Sequence, residues 1–115
     1  MVHKDRKVRQ KGMVLSRKVF HLTEGLPKGS SFVLKQQLHK TALSVPSNIA
    51  EGAGCTPRKE LLRLLDIANG SLTELETQLI LVRNLKCEDT SGLTEGDITI
   101  IRKMLHKFKR SIRSR

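Results

Sequence analysis

Residues 61–82 read LLRLLDIANGSLTELETQLILV. Within them Leu61, Leu65, Ala68, Leu72, Leu75, Leu79 and Val82 fall at alternating spacings of four and three. That is the rhythm of one face of an α-helix, held without a proline over about six turns. A half-buried strand would alternate every second residue, and this stretch does not. The punctuation lies outside it, at Gly52-Ala53-Gly54-Cys55-Thr56-Pro57 before and Thr90-Ser91-Gly92-Leu93-Thr94 after. Pro57 suits the first helical position, where its missing N–H is no loss, and Thr56 suits the cap before it.

The same rhythm recurs on either side. Val8, Gly12, Leu15, Val19, Leu22 and Leu26 form one stripe. Leu34, Leu38, Ala42, Val45 and Ile49 form a second, and Ile98, Ile101, Leu105, Phe108 and Ile112 a third. Ser30 or Ser31 is placed to cap the second helix. Thr94 with Asp97 three residues on resembles a capping box for the fourth. Helices are therefore expected near 4–25, 31–51, 57–87 and 95–113. Short connections between four amphipathic helices predict an all-α fold, an antiparallel up-down-up-down four-helix bundle occupying residues 1–115 as a single domain. The core is expected to be aliphatic, because the chain has no Trp, no Tyr and three Phe.

Helix three is more apolar than one seam needs. Leu62, Leu64, Ile67, Ile80 and Leu81 lie off its main stripe, and either widen the core or form an oligomer interface with another subunit. Pro46 stands inside helix two, where it removes a backbone hydrogen bond and crowds the carbonyl of Ala42. Ser47 and Asn48 can offer hydrogen bonds to the disturbed turn. Pro46-Ser47-Asn48 is thus expected to be structural, with a polar site at the kink as the alternative, and Glu51 beside Gly52 is expected to hydrogen-bond at a helix end rather than to catalyse. Gly70 and Ser71, with Ala68, form a patch of small residues that would admit another helix closely.

Charge is the other dominant feature. Twenty-two Lys and Arg against 11 Asp and Glu give a net charge of +11. Self-repulsion at that charge works against compaction, so its origin is sought in a polyanionic partner. The distribution is uneven. Residues 1–24 hold seven cations and two acids, residues 96–115 hold seven and one, and residues 67–95 hold two and five. The first and last helices therefore bear the positive field. Lys4, Arg6, Lys7, Arg9, Lys11, Arg17 and Lys18 in the first, and Arg102, Lys103, Lys107, Lys109, Arg110, Arg113 and Arg115 in the last, are the expected nucleic-acid-binding residues. A solvated face with long side chains covering the core edge is the plainer reading. Two converging basic runs with almost no acids between them favour phosphate contacts to RNA or DNA.

Several classes fall away. No run of apolar residues is long enough to span a bilayer, and no membrane partner is expected. The basic N-terminus is not followed by the apolar stretch of a secretory signal. Cys55 and Cys87 are too few for a disulfide framework and fit a reduced, cytoplasmic protein. His3, His21, His39 and His106 have no ligand-spaced neighbours, so no metal is expected. Glu74 and Glu76 point in different directions and cannot pair for acid–base chemistry. No phosphate loop, nucleophile elbow or dinucleotide fingerprint appears. Neither a cofactor nor catalysis is expected.

Two longer motifs are more specific. QLHKTALSVPSNIAEG at residues 37–52 and IANGSLTELETQL at residues 67–79 resemble the four-helix-bundle family encoded in intervening sequences of bacterial 23S rRNA genes. That family is similar to the accessory variability determinants of diversity-generating retroelements. The resemblance runs from about residue 6 to residue 108. It implies a homopentameric ring of bundles, a nucleic-acid role and, in the retroelement branch, association with a reverse transcriptase and its RNA. It implies no catalytic residue. The family usually has an aromatic near Arg9 and often a basic residue near Cys55, and this chain has neither. The function expected is non-catalytic nucleic-acid binding. The alternative is a homo-oligomeric scaffold for other proteins.

Overall fold

A computed structural model describes residues 3–27, 32–54, 57–85 and 89–114, and the described side chains begin at Asp5. The described residues form four α-helices and no strand. They are α1 (His3–Glu24), α2 (Phe32–Ala53), α3 (Arg58–Asn84) and α4 (Ile98–Arg113), the last continuing from a π-helical segment, Gly92–Asp97. The expected elements are all present, with ends displaced by up to three residues, and the assumed continuation of helix three through residues 86 and 87 lies outside the described residues.

The stripes become the core. Val8, Leu15 and Val19 of α1 are buried with Leu38, Ala42, Val45 and Ile49 of α2. All seven stripe residues of α3 are buried, as are Ile98, Ile101, Leu105, Phe108 and Ile112 of α4. Leu22 and Leu34 only pack against the edge. Each buried side chain of this size contributes about 1.5–3 kcal/mol, so the stripes are the main stabilising feature. At 1.5 Å per residue, α3 is about 40 Å long and runs most of the 49 Å long axis. The accessible surface of 6934 Å² exceeds the roughly 6,300 Å² of a compact chain of this mass, as a rod's should.

Each helix packs on its neighbours in sequence, and α1 also packs on α4. From α1 to α2, Gly12 faces Pro46, Ser16 faces Ala42 and Thr23 faces His39, so partner numbers fall as residue numbers rise. From α2 to α3, Thr41 meets Gln78, Ser44 meets Ser71 and Gly52 meets Leu61.

The Pro46 motif is a crossing point. The proline leaves the Ala42 carbonyl without its usual donor four residues on. The Ser16 hydroxyl of α1 lies 3.0 Å from that oxygen and 3.1 Å from the Gly12 carbonyl. The Asn48 amide donates to the Ser44 carbonyl at 2.7 Å. A Cβ at Gly12 would lie 3.3 Å from Pro46 Cβ, so α1 and α2 touch nearly backbone to ring. At the other end Gly52 makes room for Leu61 and Leu64. Pro46 and Gly52 are buried, and Ser47 and Glu51 are exposed.

Three expectations need correction. The close approach anticipated at Gly70 is absent, because a Cβ there meets nothing within 4 Å. Ala68 is in the core and Ser71 hydrogen-bonds Ser44, so the small residues face different neighbours. Thr94 and Asp97 do not cap a helix. Asp89 closes the turn before the segment instead, accepting from the Ser91 amide at 3.0 Å and its hydroxyl at 2.8 Å. Thr94 is buried one turn inside, its hydroxyl on the Thr90 and Ser91 carbonyls, and Asp97 turns to α1. Pro57 has extended backbone and stands just before the first turn of α3 rather than in it. The caps expected from Ser30, Ser31 and Thr56 fall outside the described residues.

Candidate nucleic-acid interface

Positions three, four and seven apart on a helix share a face, so register decides which cations meet. The Lys18 ammonium lies 2.8 Å from Asp97 Oδ2. One and two turns earlier on α1, Val14 and Lys11 line a groove with Ile100 and Ile101 of α4. Lys7 continues that face. On α4, Lys103 and Lys107 follow Ile100 at three and seven residues, and Arg110 follows a turn later. Lys7 and Lys11 border this α1/α4 edge, and Lys103, Lys107 and Arg110 continue it over the outward face of α4; all five are exposed. Among the described residues none of the five has a carboxylate partner. Lys103, Lys107 and Arg110 also rim a depression of about 360 Å³ on the outside of α4.

The other side of α4 is neutralised. Arg102 lies 3.5 Å from Glu76 and hydrogen-bonds Thr73, and Lys109 pairs with Asp66. These contacts hold α4 to α3, and with Lys18 they remove three expected phosphate ligands from the free set. Arg6 and Arg17 are exposed on α1, Arg9 is half-buried, and Arg113 is exposed at the end of α4. The expected contributions of Lys4 and Arg115 lie outside the described side chains. Among the described residues no group of His, Cys, Asp and Glu could hold a metal ion. No helix there is long and apolar enough to cross a membrane.

Two carboxyls are tuned by local bonds. The Ser91 amide, then the Ser91 hydroxyl, holds Asp89 below its ordinary range. The Arg63 guanidinium does the same for Glu60 from 2.6 Å.

Residues 4–107 match the family model described as 23S rRNA-intervening sequence protein. The chain belongs to that family. No curated protein matches it. Its fold is similar to that of a protein of unknown function from the S23 ribosomal protein family of Bacteroides thetaiotaomicron VPI-5482. The TM-score is 0.85 at 23% identity, over 93% of this chain and 98% of that one.

In this 23S rRNA-intervening sequence protein, the expected oligomer residues divide. Leu64 is 2% exposed and packs over Gly52, and Leu62 packs against the core, so both serve the chain's own bundle. Ile67 and Leu81 are 40% and 47% exposed, with Ile80 half-buried nearby. Sequence reasoning missed a cleft of about 600 Å³ between the second half of α1 and the π segment. Gly92, read from the sequence as punctuation between helices, lines it.

Proposed function

We propose that this protein binds RNA or DNA without catalysis, gripping phosphates along the α1/α4 edge. The observation that carries the reading is the set of five exposed cations, Lys7, Lys11, Lys103, Lys107 and Arg110, with no acid among the described residues to neutralise them. Cations that served folding would be paired as Lys18, Arg102 and Lys109 are. Each phosphate contact releases counterions, so binding should be strong in dilute buffer and fall steeply with salt. Along this edge, phosphate contacts position the strand and carry no base information.

The antiparallel up-down-up-down arrangement supplies the rigid support. Subunits associate through the exposed Ile67 and Leu81 on α3, and the family resemblance suggests a pentameric ring that repeats the basic edge. In the same reading the bound strand is passed to an enzyme partner, a reverse transcriptase by that resemblance.

The test is retention of nucleic acid by the purified, nuclease-treated protein. Wild type should retain it in low salt, and the K103E/K107E/R110E variant should lose it. Equal retention by both would overturn the reading. Sedimentation of Leu81→Asp tests association separately, with a smaller species expected.

A further inference from the structure

The cleft beside the π segment extends the phosphate edge, and any role for it in binding rests on the phosphate-binding reading. It shares Val14, Lys18 and Asp97 with the groove that contains Lys11 and Ile100, so the two adjoin as a channel along α1 with the Lys18–Asp97 ion pair at its neck. From Lys11 to Gly25 that channel follows α1 for about 21 Å, room for several nucleotides.

The cleft differs in chemistry from the edge. Its floor is apolar, made by Val14, Leu22 and Leu93, and the cavity of about 600 Å³ is within the range of small-molecule sites. Arg17, Lys18 and His21 stand on the α1 wall, and Asp89 and Asp97 on the opposite wall. The amides at the start of the π segment are not open to an anion, because Asp89 already accepts from Ser91. Two carboxylates beside an apolar floor repel a phosphate. They suit a flat, neutral group that presents hydrogen-bond donors.

We infer that the channel takes single-stranded nucleic acid, one unstacked base of which enters the cleft while its phosphates follow Arg17 and Lys11. A duplex keeps its bases stacked inside and would leave the floor uncovered. Only an unpaired strand can satisfy both the cationic wall and the apolar floor. The acceptors Asp89 and Asp97 favour a base with an exocyclic amine, as carboxylates do when they accept from cytosine N4. Uracil and thymine lack that amine and bind less well.

Gly92 provides a test that leaves charge unchanged. It lines the cleft, and a Cβ there meets nothing within 4 Å, so a larger residue fills the cleft without crowding the bundle. Labelled oligocytidine, oligouridine and a perfect duplex of matched length are titrated against wild type, Gly92→Leu and K103E/K107E/R110E, with thermal melts alongside. Oligocytidine should bind wild type about tenfold more tightly than oligouridine or duplex, and Gly92→Leu should lose about that factor, the scale of one discriminating base contact. Duplex binding by Gly92→Leu should equal wild type, and its melting temperature should not fall. Equal affinity of wild type for all three probes, or no effect of Gly92→Leu on oligocytidine, overturns the cleft. If the triple variant still loses binding, the phosphate edge stands without the cleft. If it binds as wild type does, both readings fall together.

Discussion

Neutralising the unpaired edge cations and the paired ones should have opposite consequences, and salt dependence separates them. On single strands each phosphate contact contributes about 0.7 to the slope of log affinity against log salt. Five edge cations per subunit then give a slope of about −3.5, an affinity loss of about 130-fold between about 50 and about 200 mM salt. The variant K103Q/K107Q/R110Q keeps Lys7 and Lys11, so its slope should shrink to about −1.4 and the loss to about sevenfold. The variant K18Q/K109Q removes two cations already paired with Asp97 and Asp66. Its slope should stay near that of wild type. Its cost is in stability, up to about 1 kcal/mol for each exposed pair, or about 4 °C per kcal/mol for a chain of this length. Fluorescence anisotropy of a labelled single strand over a salt series reads the slopes, and circular-dichroism melts read the stability. The geometric division of the cations is refuted if the K18Q/K109Q slope flattens as much as that of the triple variant.

Alanine at the two helical glycines Gly12 and Gly70 should diverge. Gly70→Ala gains about 1 kcal/mol of helix propensity in open space, whereas Gly12→Ala meets the rigid Pro46 ring and loses that gain to about 1–3 kcal/mol of overpacking; denaturant melts showing equal stabilisation would remove the tight crossing. Ser16→Ala leaves the Ala42 carbonyl buried without its donor and should cost about 1–3 kcal/mol, and Ser16→Thr, which keeps the hydroxyl, should recover part of it. Asp89 has a depressed folded pKa, so its contribution is fully present above the ordinary carboxylate range and is lost as pH falls through the folded value. Carbon-detected NMR titration should show Asp89 protonating at lower pH than the same residue in the unfolded chain, and Asp89→Asn should flatten the acid limb of the stability curve.

The helices were legible because burial of a repeating apolar face depends on spacing alone. Leu61 to Val82 needed no knowledge of their neighbours to be assigned inward, and all seven are buried. Crowding at glycine was half legible. Gly12 sits on the apolar stripe between Val8 and Leu15, which marks a helix contact, whereas Gly70 lies on the open side of α3 and its sequence neighbours Ala68 and Ser71 suggested a patch that their directions deny. The fourth helix start was not legible. The expected capping box does not form there: Asp89 accepts from the Ser91 amide in the turn, and Asp97 pairs with Lys18, 79 residues away in sequence. Ion pairing across helices depends on register that no local window contains. That is why Lys18, Arg102 and Lys109 look the same in sequence as Lys11, Lys103 and Lys107, and differ in the fold.

Those three pairs also change what the net charge means. As surface contacts they add little stability, and a chain at +11 does not fold because of them. Their effect is directional. Asp66 and Glu76 neutralise the side of α4 that faces α3, and Asp97 neutralises Lys18 at the neck between the groove and the cleft. With its α3-facing side neutralised, α4 keeps Lys103, Lys107 and Arg110 unpaired on its outward face. A uniformly basic rod would bind a polyanion in any orientation. In the proposed reading, the acids on α3 take Arg102 and Lys109 out of the cations open to a bound strand, and Lys103, Lys107 and Arg110 remain to guide it. On that reading, the acidic character of the third helix helps set where the surplus of positive charge can act.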